Sequence, residues 1–273
     1  MKKLIPVFFV VMILATGCPQ PEQEVHPVEI GLFTPYAIFP EFLNGKVKEV
    51  IEKNYQGIEK DGKMIKGERL TKEARDTIKW SNDFRVNFDE NGTLLECVKI
   101  DENDEIIDKQ TLTVEEGKIL KGLYTKNDTL RNYSMLLYDD AGQILKIEQY
   151  RMPADTIIWS VQFITDELGN VREWQFLDTG GNPTTKYIFT VDQAGSRTGY
   201  KYYNSEGELA FEERFTYNDK GSMVKQVMIN KAGEETVSEY EYEYDEMNNW
   251  VKVTGYSEHY PVVSERTITY YTE

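Results

Sequence analysis

Tyr217-Asn218-Asp219-Lys220-Gly221 is the stretch whose reading decides the fold. An Asn or Asp side chain bonds the backbone two residues on and opens a turn, and a Gly three places later supplies the positive φ that completes it. The same pattern returns as Tyr138-Asp139-Asp140-Ala141-Gly142, Thr165-Asp166-Glu167-Leu168-Gly169, Val191-Asp192-Gln193-Ala194-Gly195 and Tyr244-Asp245-Glu246-Met247-Asn248. Counting weaker copies, turns are expected after Phe88, Ile100, Thr113, Thr125, Tyr138, Tyr150, Thr165, Leu177, Val191, Tyr203, Tyr217, Ile229, Tyr244 and Tyr256. Successive anchors lie 12 to 15 residues apart, so a period of about 26 residues holds two turns, and regular spacing on this scale marks a repeat architecture.

The segments between turns alternate apolar and polar residues. Tyr240, Tyr242 and Tyr244 are interleaved with Glu241 and Glu243, and Val251 and Val253 flank Lys252. Period two means strand. Strand, short turn and strand, repeated, gives an all-β fold: a long antiparallel meander of about 15 strands, over residues 87–273. A meander of that length does not stay flat, so the expected form is a curved or coiled sheet or an open barrel. One face carries Tyr and Phe, the other Glu and Lys.

Residues 41–86 read as a β-rich region. Asn44-Gly45 is a turn signal, the β-branched run from Lys46 to Tyr55 is read as a strand, and Thr71–Lys79 is the best short helix in the chain. Residues 19–40 form a tether and N-terminal segment, with Pro19 and Pro21 followed by polar residues.

The chain begins Met1-Lys2-Lys3, continues with a twelve-residue apolar run from Leu4 to Ala15, and reaches Ala15-Thr16-Gly17-Cys18. The run is too short to span a bilayer and has the length of a secretory signal core. It resembles a bacterial lipoprotein signal over residues 1–18, which implies that Cys18 becomes a lipidated N-terminus holding the protein to a membrane. By the same resemblance, Pro19 in place of Asp implies the outer membrane of a Gram-negative host, and the nearby Glu22 and Glu24 resemble a surface-export signal.

The formal net charge of −16 excludes nucleic acid, whose phosphates need a basic patch. With 40% hydrophobic residues, 18 Tyr and 12 Phe, the chain must make its core largely from rings. Only two cysteines and two histidines are present. Cys97 sits in a strand pattern and reads as a small buried residue, and His26 and His259 read as surface residues. No nucleophile–base arrangement or His/Cys metal set appears, so no cofactor, metal or catalytic residue is expected. Asp101-Glu102-Asn103-Asp104-Glu105 has the acid density of a calcium loop but carries Ile106 where such a loop needs Gly. The paired acids Asp139-Asp140 and Asp166-Glu167 recur at turns and read as turn residues.

The aromatic face alone has a functional edge. Trp159, Trp174, Tyr217, Tyr242, Tyr244 and Trp250 are its candidate ligand-binding residues. Two readings are open: these rings form a core, or they form an exposed face that stacks sugar rings or a partner.

Tyr242-Glu243-Tyr244-Asp245-Glu246-Met247-Asn248-Asn249-Trp250, Leu137-Tyr138-Asp139-Asp140-Ala141-Gly142 and Phe163-Ile164-Thr165-Asp166-Glu167-Leu168-Gly169-Asn170 resemble the tyrosine-aspartate (YD) repeats of the RHS family, over about residues 87–271. The resemblance implies β-hairpins in series, and an association with cell surfaces and carbohydrate. In that family the hairpins spiral into a shell around a toxin; the repeats here are far too few for one. The chain looks like the short YD-repeat-like lipoproteins of Bacteroides-type bacteria, whose function is generally unassigned. The expected function is a lipid-anchored, non-enzymatic scaffold or binding module of the cell envelope. Its partners would be the membrane, through the lipid, and a glycan or envelope protein. The alternatives are a carbohydrate-binding or adhesion lipoprotein and a toxin-associated accessory or immunity protein.

Overall fold

The computed structural model describes residues 25–28, 41–71, 73–74, 83–115, 118–140, 142–166, 170–192, 196–257 and 261–272. Cys18, most of the tether, His259 and nearly all of the helix expected over Thr71–Lys79 lie outside the described residues.

The strands in chain order are β1 (Val25–Val28), β2 (Glu41–Asn44), β3 (Val47–Lys60), β4 (Lys63–Arg69), β5 (Asp83–Phe88), β6 (Leu94–Ile100), β7 (Ile106–Glu115), β8 (Lys118–Lys126), β9 (Thr129–Tyr138) and β10 (Ile144–Arg151). They continue as β11 (Thr156–Thr165), β12 (Val171–Leu177), β13 (Pro183–Val191), β14 (Arg197–Tyr203), β15 (Leu209–Tyr217), β16 (Met223–Asn230), β17 (Glu235–Tyr244), β18 (Trp250–Ser257) and β19 (Val262–Tyr270). β1 and β2 make a separate two-stranded sheet. The rest is the antiparallel meander expected from the repeat, and it closes on itself. The ring proper has 16 strands, β3 and β5 to β19. β4 shares with β5 the same edge of β3: Glu49–Glu52 pair with β5, and Tyr55–Lys60 pair with β4. The other edge of β3 pairs with β19 from Val47↔Tyr270 to Gln56↔Val262.

The turns explain the register. In ten of them one five-residue cassette recurs. The first residue, Asp or Asn, gives its amide to the carbonyl of the fifth, and its side-chain oxygen accepts the amide of that fifth residue. In the cassette after Tyr217, Asn218 N donates to Ser222 O at 2.9 Å, Ser222 N donates to Asn218 Oδ1 at 3.0 Å, and Gly221 N donates to Asn218 O at 3.1 Å. Gly221 has φ +79°. This is a type I turn closed by a left-handed residue, and it leaves a bulge beside Tyr217. Where Gly is missing, Asp104 and Asn248 adopt the positive φ instead, as these two types do at least cost.

Three degenerate anchors turn differently. β7 runs past Thr113 to Glu115. After Thr125, β8 ends at Lys126 and a two-residue link of Asn127 and Asp128, both at positive φ, leads to β9. Beyond Tyr150 the chain turns through Met152–Asp155, with a cis Met152–Pro153 bond.

Closure turns one face into a lumen, and burial follows period two. On β15, Phe211, Glu213 and Phe215 point inward, between Glu212, Arg214 and Thr216. Two buried clusters fill much of the interior. One runs from Ile119 and Leu136 through Phe163, Trp174 and Phe189 to Phe215; the other gathers Leu43, Val47, Val50, Val86, Phe88 and Cys97. Leu112 packs against both. Cys97 is 2% exposed, and burial pushes its thiol pKa up, so it is the inert filler its setting suggested.

The outer wall is charged. Cross-strand pairs run along it: Lys252–Glu243 at 2.6 Å, Lys66–Glu265 at 2.7 Å, Lys201–Glu212 at 3.7 Å and Lys225–Glu239 at 3.8 Å. Each is worth at most about 1 kcal/mol, but together they define what the wall faces. A lipid-spanning barrel is apolar outside and polar within. This wall instead carries charged pairs along its strands, between exposed apolar residues such as Leu137 and Ile164.

The seam is locked where β4 and β5 part from β3. Asp83, fully buried, fills the fork: its Oδ1 accepts the amide and Nδ2 of Asn54 at 2.9 and 3.1 Å, and its Oδ2 accepts Arg69 Nε at 2.7 Å. Arg69 also bonds the carbonyls of Asp101 and Glu102 at 2.8 Å, tying β4 to the β6–β7 turn. Removing one partner of such a buried set costs about 3–5 kcal/mol. Asp83→Ala is therefore expected to lower the urea midpoint sharply, with Asp83→Asn in between. An unchanged midpoint for Asp83→Ala would show that the seam closes without it.

Candidate functional site

The lumen is graded along its axis. At the rim formed by the turns at 89–93, 139–143, 166–170, 218–222 and 245–249, the inward residues are apolar or aromatic: Phe88, Leu94, Leu136, Ile144, Val171, Phe215 and Met223, among others. Toward the opposite rim, formed by the turns at 101–105, 178–182, 204–208 and 230–234, the inward set becomes polar. It includes Glu52, Asn54, Asp108, Gln110, Glu213, Gln226, Tyr240, Ser264 and Arg266. The first half is a largely apolar floor. The second half can recognise a polar ligand.

The wall is also uneven around the ring. Inward residues of β5–β7 and β11–β15 are often buried, whereas those of β9–β10 and β16–β18 are mostly half-buried: among the latter Met223, Gln226, Tyr240, Tyr242, Tyr244 and Trp250, with Met228 exposed. Of these two less buried stretches, β16–β18 is the one lined with several rings. Tyr242 lies 6.1 Å from Tyr244 and, edge-on, 6.1 Å from Trp250. Their polar tips are fixed. Tyr242 Oη donates to Met223 O at 2.8 Å, and Tyr244 Oη accepts Asn218 Nδ2 at 2.8 Å. Arg266 lies over Trp250 at 3.5 Å and is held on its other side by Glu52, with two contacts of 2.9 Å. A ring anchored at its tip and backed by a cation is a rigid platform.

The polar centre beside this platform is Glu213. Tyr240 Oη donates to Gln226 Oε1 at 3.0 Å, Gln226 Nε2 donates to Glu213 Oε2 at 2.7 Å, and the Tyr200 hydroxyl bonds the same carboxyl. Burial pushes the Glu213 carboxyl pKa up, against the two hydrogen bonds, which pull it down. Burial, reinforced by that carboxyl, pushes the Tyr200 phenol up as well.

The aromatic residues singled out in the sequence thus share the inward face but divide between two environments. Trp174, 4% exposed, is packed edge-on against Phe163, Tyr187 and Phe189. Trp159 and Tyr217 pack against the same cluster, and burial pushes the Tyr217 phenol up to about 12. These three are core. Tyr242, Tyr244 and Trp250 line the accessible strip. Sequence reasoning missed the polar members, Glu213, Gln226 and Arg266. Their one signature is position: each stands at an inward place in a strand where period two calls for an apolar residue.

No protein-family model matches the chain, and no curated protein matches its sequence. Among solved structures, a porin-like protein from Bacteroides uniformis aligns over 82% of this chain and 96% of its own, at 9% identity and a TM-score of 0.53. A porin-like protein from Bacteroides vulgatus aligns over 91% of this chain and 98% of its own, at 13% identity and a TM-score of 0.32. A TcdB2–TccC3–Cdc42 complex aligns over 80% of this chain and 12% of its own, at 12% identity and a TM-score of 0.32. The first of these is a likeness of fold.

A carboxyl whose folded pKa is raised contributes stability that is complete below its unfolded value, about pH 4.3, and is lost as pH rises through the folded value. Glu213→Gln should therefore be more stable than the parent at pH 7 and equal to it near pH 4, measured by urea unfolding across that range. A parallel shift at every pH would assign the gain to packing rather than to ionisation.

Proposed function

We propose that this protein is a lipid-anchored binding module of the cell envelope, non-enzymatic, which takes a glycan into the open side of its lumen. The observation that carries the reading is the β16–β18 strip. Anchored rings at Tyr242 and Tyr244, with Trp250 beneath Arg266, stand beside a hydrogen-bonding centre at Gln226 and Glu213, in a lumen whose floor is largely apolar. Sugar rings present apolar faces to stack and hydroxyls to bond, and this wall offers both partners side by side. The polar groups near the strip are engaged with one another: Glu52 with Arg266, and Glu213 with Gln226 and Tyr200. That suits recognition better than proton transfer.

The lipid anchor at Cys18 rests on the N-terminal sequence. The charged outer wall supports a barrel tethered at a membrane surface and standing in water, and the fold likeness to a porin-like Bacteroides protein supports an envelope address.

Cys18→Ser is expected to release the protein from the membrane fraction; full retention of the variant would remove the anchor from the proposal. Titrating a panel of soluble oligosaccharides should shift the tryptophan emission of the parent, and Trp250→Phe should lose most of that shift while Trp159→Phe keeps it. No shift with any sugar, or a shift unaffected by Trp250→Phe, would overturn the glycan reading.

A further inference from the structure

Two buried acceptors on the far wall of the lumen have no donor. Asp108 and Gln110 lie two residues apart on the inward face of β7, 8% and 5% exposed, and Asp108 Oδ1 and Gln110 Oε1 are both without a hydrogen-bond partner. Buried acceptors are almost always paired, and each orphan costs stability. A pair of them, side by side and facing one lumen, calls for an explanation.

Their surroundings define what would satisfy them. Residues i and i+2 of a strand are about 6.6 Å apart, so the two oxygens suit two donors on a single small molecule. Gly122 on β8, in register with Leu112 on β7, keeps the neighbouring wall thin: a Cβ there would lie 2.8 Å from Gln110 Nε2. Tyr124, in register with Gln110 and half-buried, bonds the Asp108 carboxyl through its hydroxyl and closes the pair toward the polar rim. The charges nearby discriminate. Lys99 faces Asp108 across the β6–β7 ladder, and the positive charge of Arg131 reaches Tyr124. A cationic donor meets these two positive charges, and an anionic one meets Asp108. A neutral molecule rich in hydroxyls meets neither penalty.

We propose that Asp108 and Gln110 form a second sugar-binding subsite, which takes two hydroxyl groups of a neutral pyranose once Tyr124 turns aside. This rests on the glycan reading of the β16–β18 strip and adds a polar contact on the opposite wall. The empty protein holds the orphaned acceptors at a cost, and the sugar relieves it.

The test is a thermal-unfolding series on the full mature protein, with methyl glucoside, methyl galactoside and the oligosaccharides of the panel as probes. Gln110→Met removes one orphan at nearly constant volume. It should raise the sugar-free midpoint by about 2–4 °C and cut the sugar-induced upshift of the parent at least in half, with Asp108→Asn also reducing that upshift. Should Gln110→Met not fold, Gln110→Asn withdraws the acceptor by one methylene and is read by the sugar-induced upshift alone. If the sugar still raises the midpoint of the Gln110 and Asp108 variants as much as the parent's, while Trp250→Phe abolishes the effect, the subsite is wrong and the strip stands. If no probe moves the parent, both fall. A Gln110→Met variant that folds but is no more stable than the parent when empty also overturns the subsite, because the acceptor then carried no cost.

Discussion

Everything in this barrel depends on β3 having two edges to fill. It takes β19 on one side and divides the other between β5 and β4. Without that seam the meander is a ribbon with two unpaired edges, open to pairing with other chains, and its aromatic face has nothing to enclose. With it, the same face becomes an interior. Asp83 matters because it fills the gap on the edge of β3 between β5 and β4, where it accepts the Asn54 amide.

Two kinds of carboxyl follow from this enclosure and respond oppositely to pH. At the rims the turn aspartates accept backbone amides. Asp178, bonded by the amides of Asn182 and Gly180, has its pKa held down, and its contribution is present above about pH 4 and is lost as the solution acidifies through the folded value. Inside, Glu213 is pushed up by burial. Asn204, Asn218 and Asn230 make the same turn with no ionisable group, so those three turns take no part in that response.

Much of the fold was legible because its determinants are local. The Asx-and-Gly cassette states its own geometry, and period two states the strands. Closure was not legible, because it depends on a register between residues about 200 apart in the chain, Val47–Gln56 with Val262–Tyr270, which no local pattern encodes. The turn expected after Thr113 falls at the far end of its five-residue site, since β7 runs on to Glu115 and β8 begins at Lys118. As for the site, the aromatic face was visible in the alternation. Its split into core rings and an accessible strip was not, because that depends on how the two clusters crowd one side of the lumen. Glu213, Gln226 and Arg266 look like solvent-facing residues until the ring encloses them.

The turn cassette has one further consequence. Ten of the hairpins carry their register within five residues, so none of these needs to know its place in the ring. An antiparallel ring closes only with an even number of strands, so one extra strand is forbidden while one extra hairpin is not. The module by which such a barrel could gain or lose girth is therefore the double unit of about 26 residues, inserted anywhere between β6 and β18, with the β3 seam left to join whatever arrives.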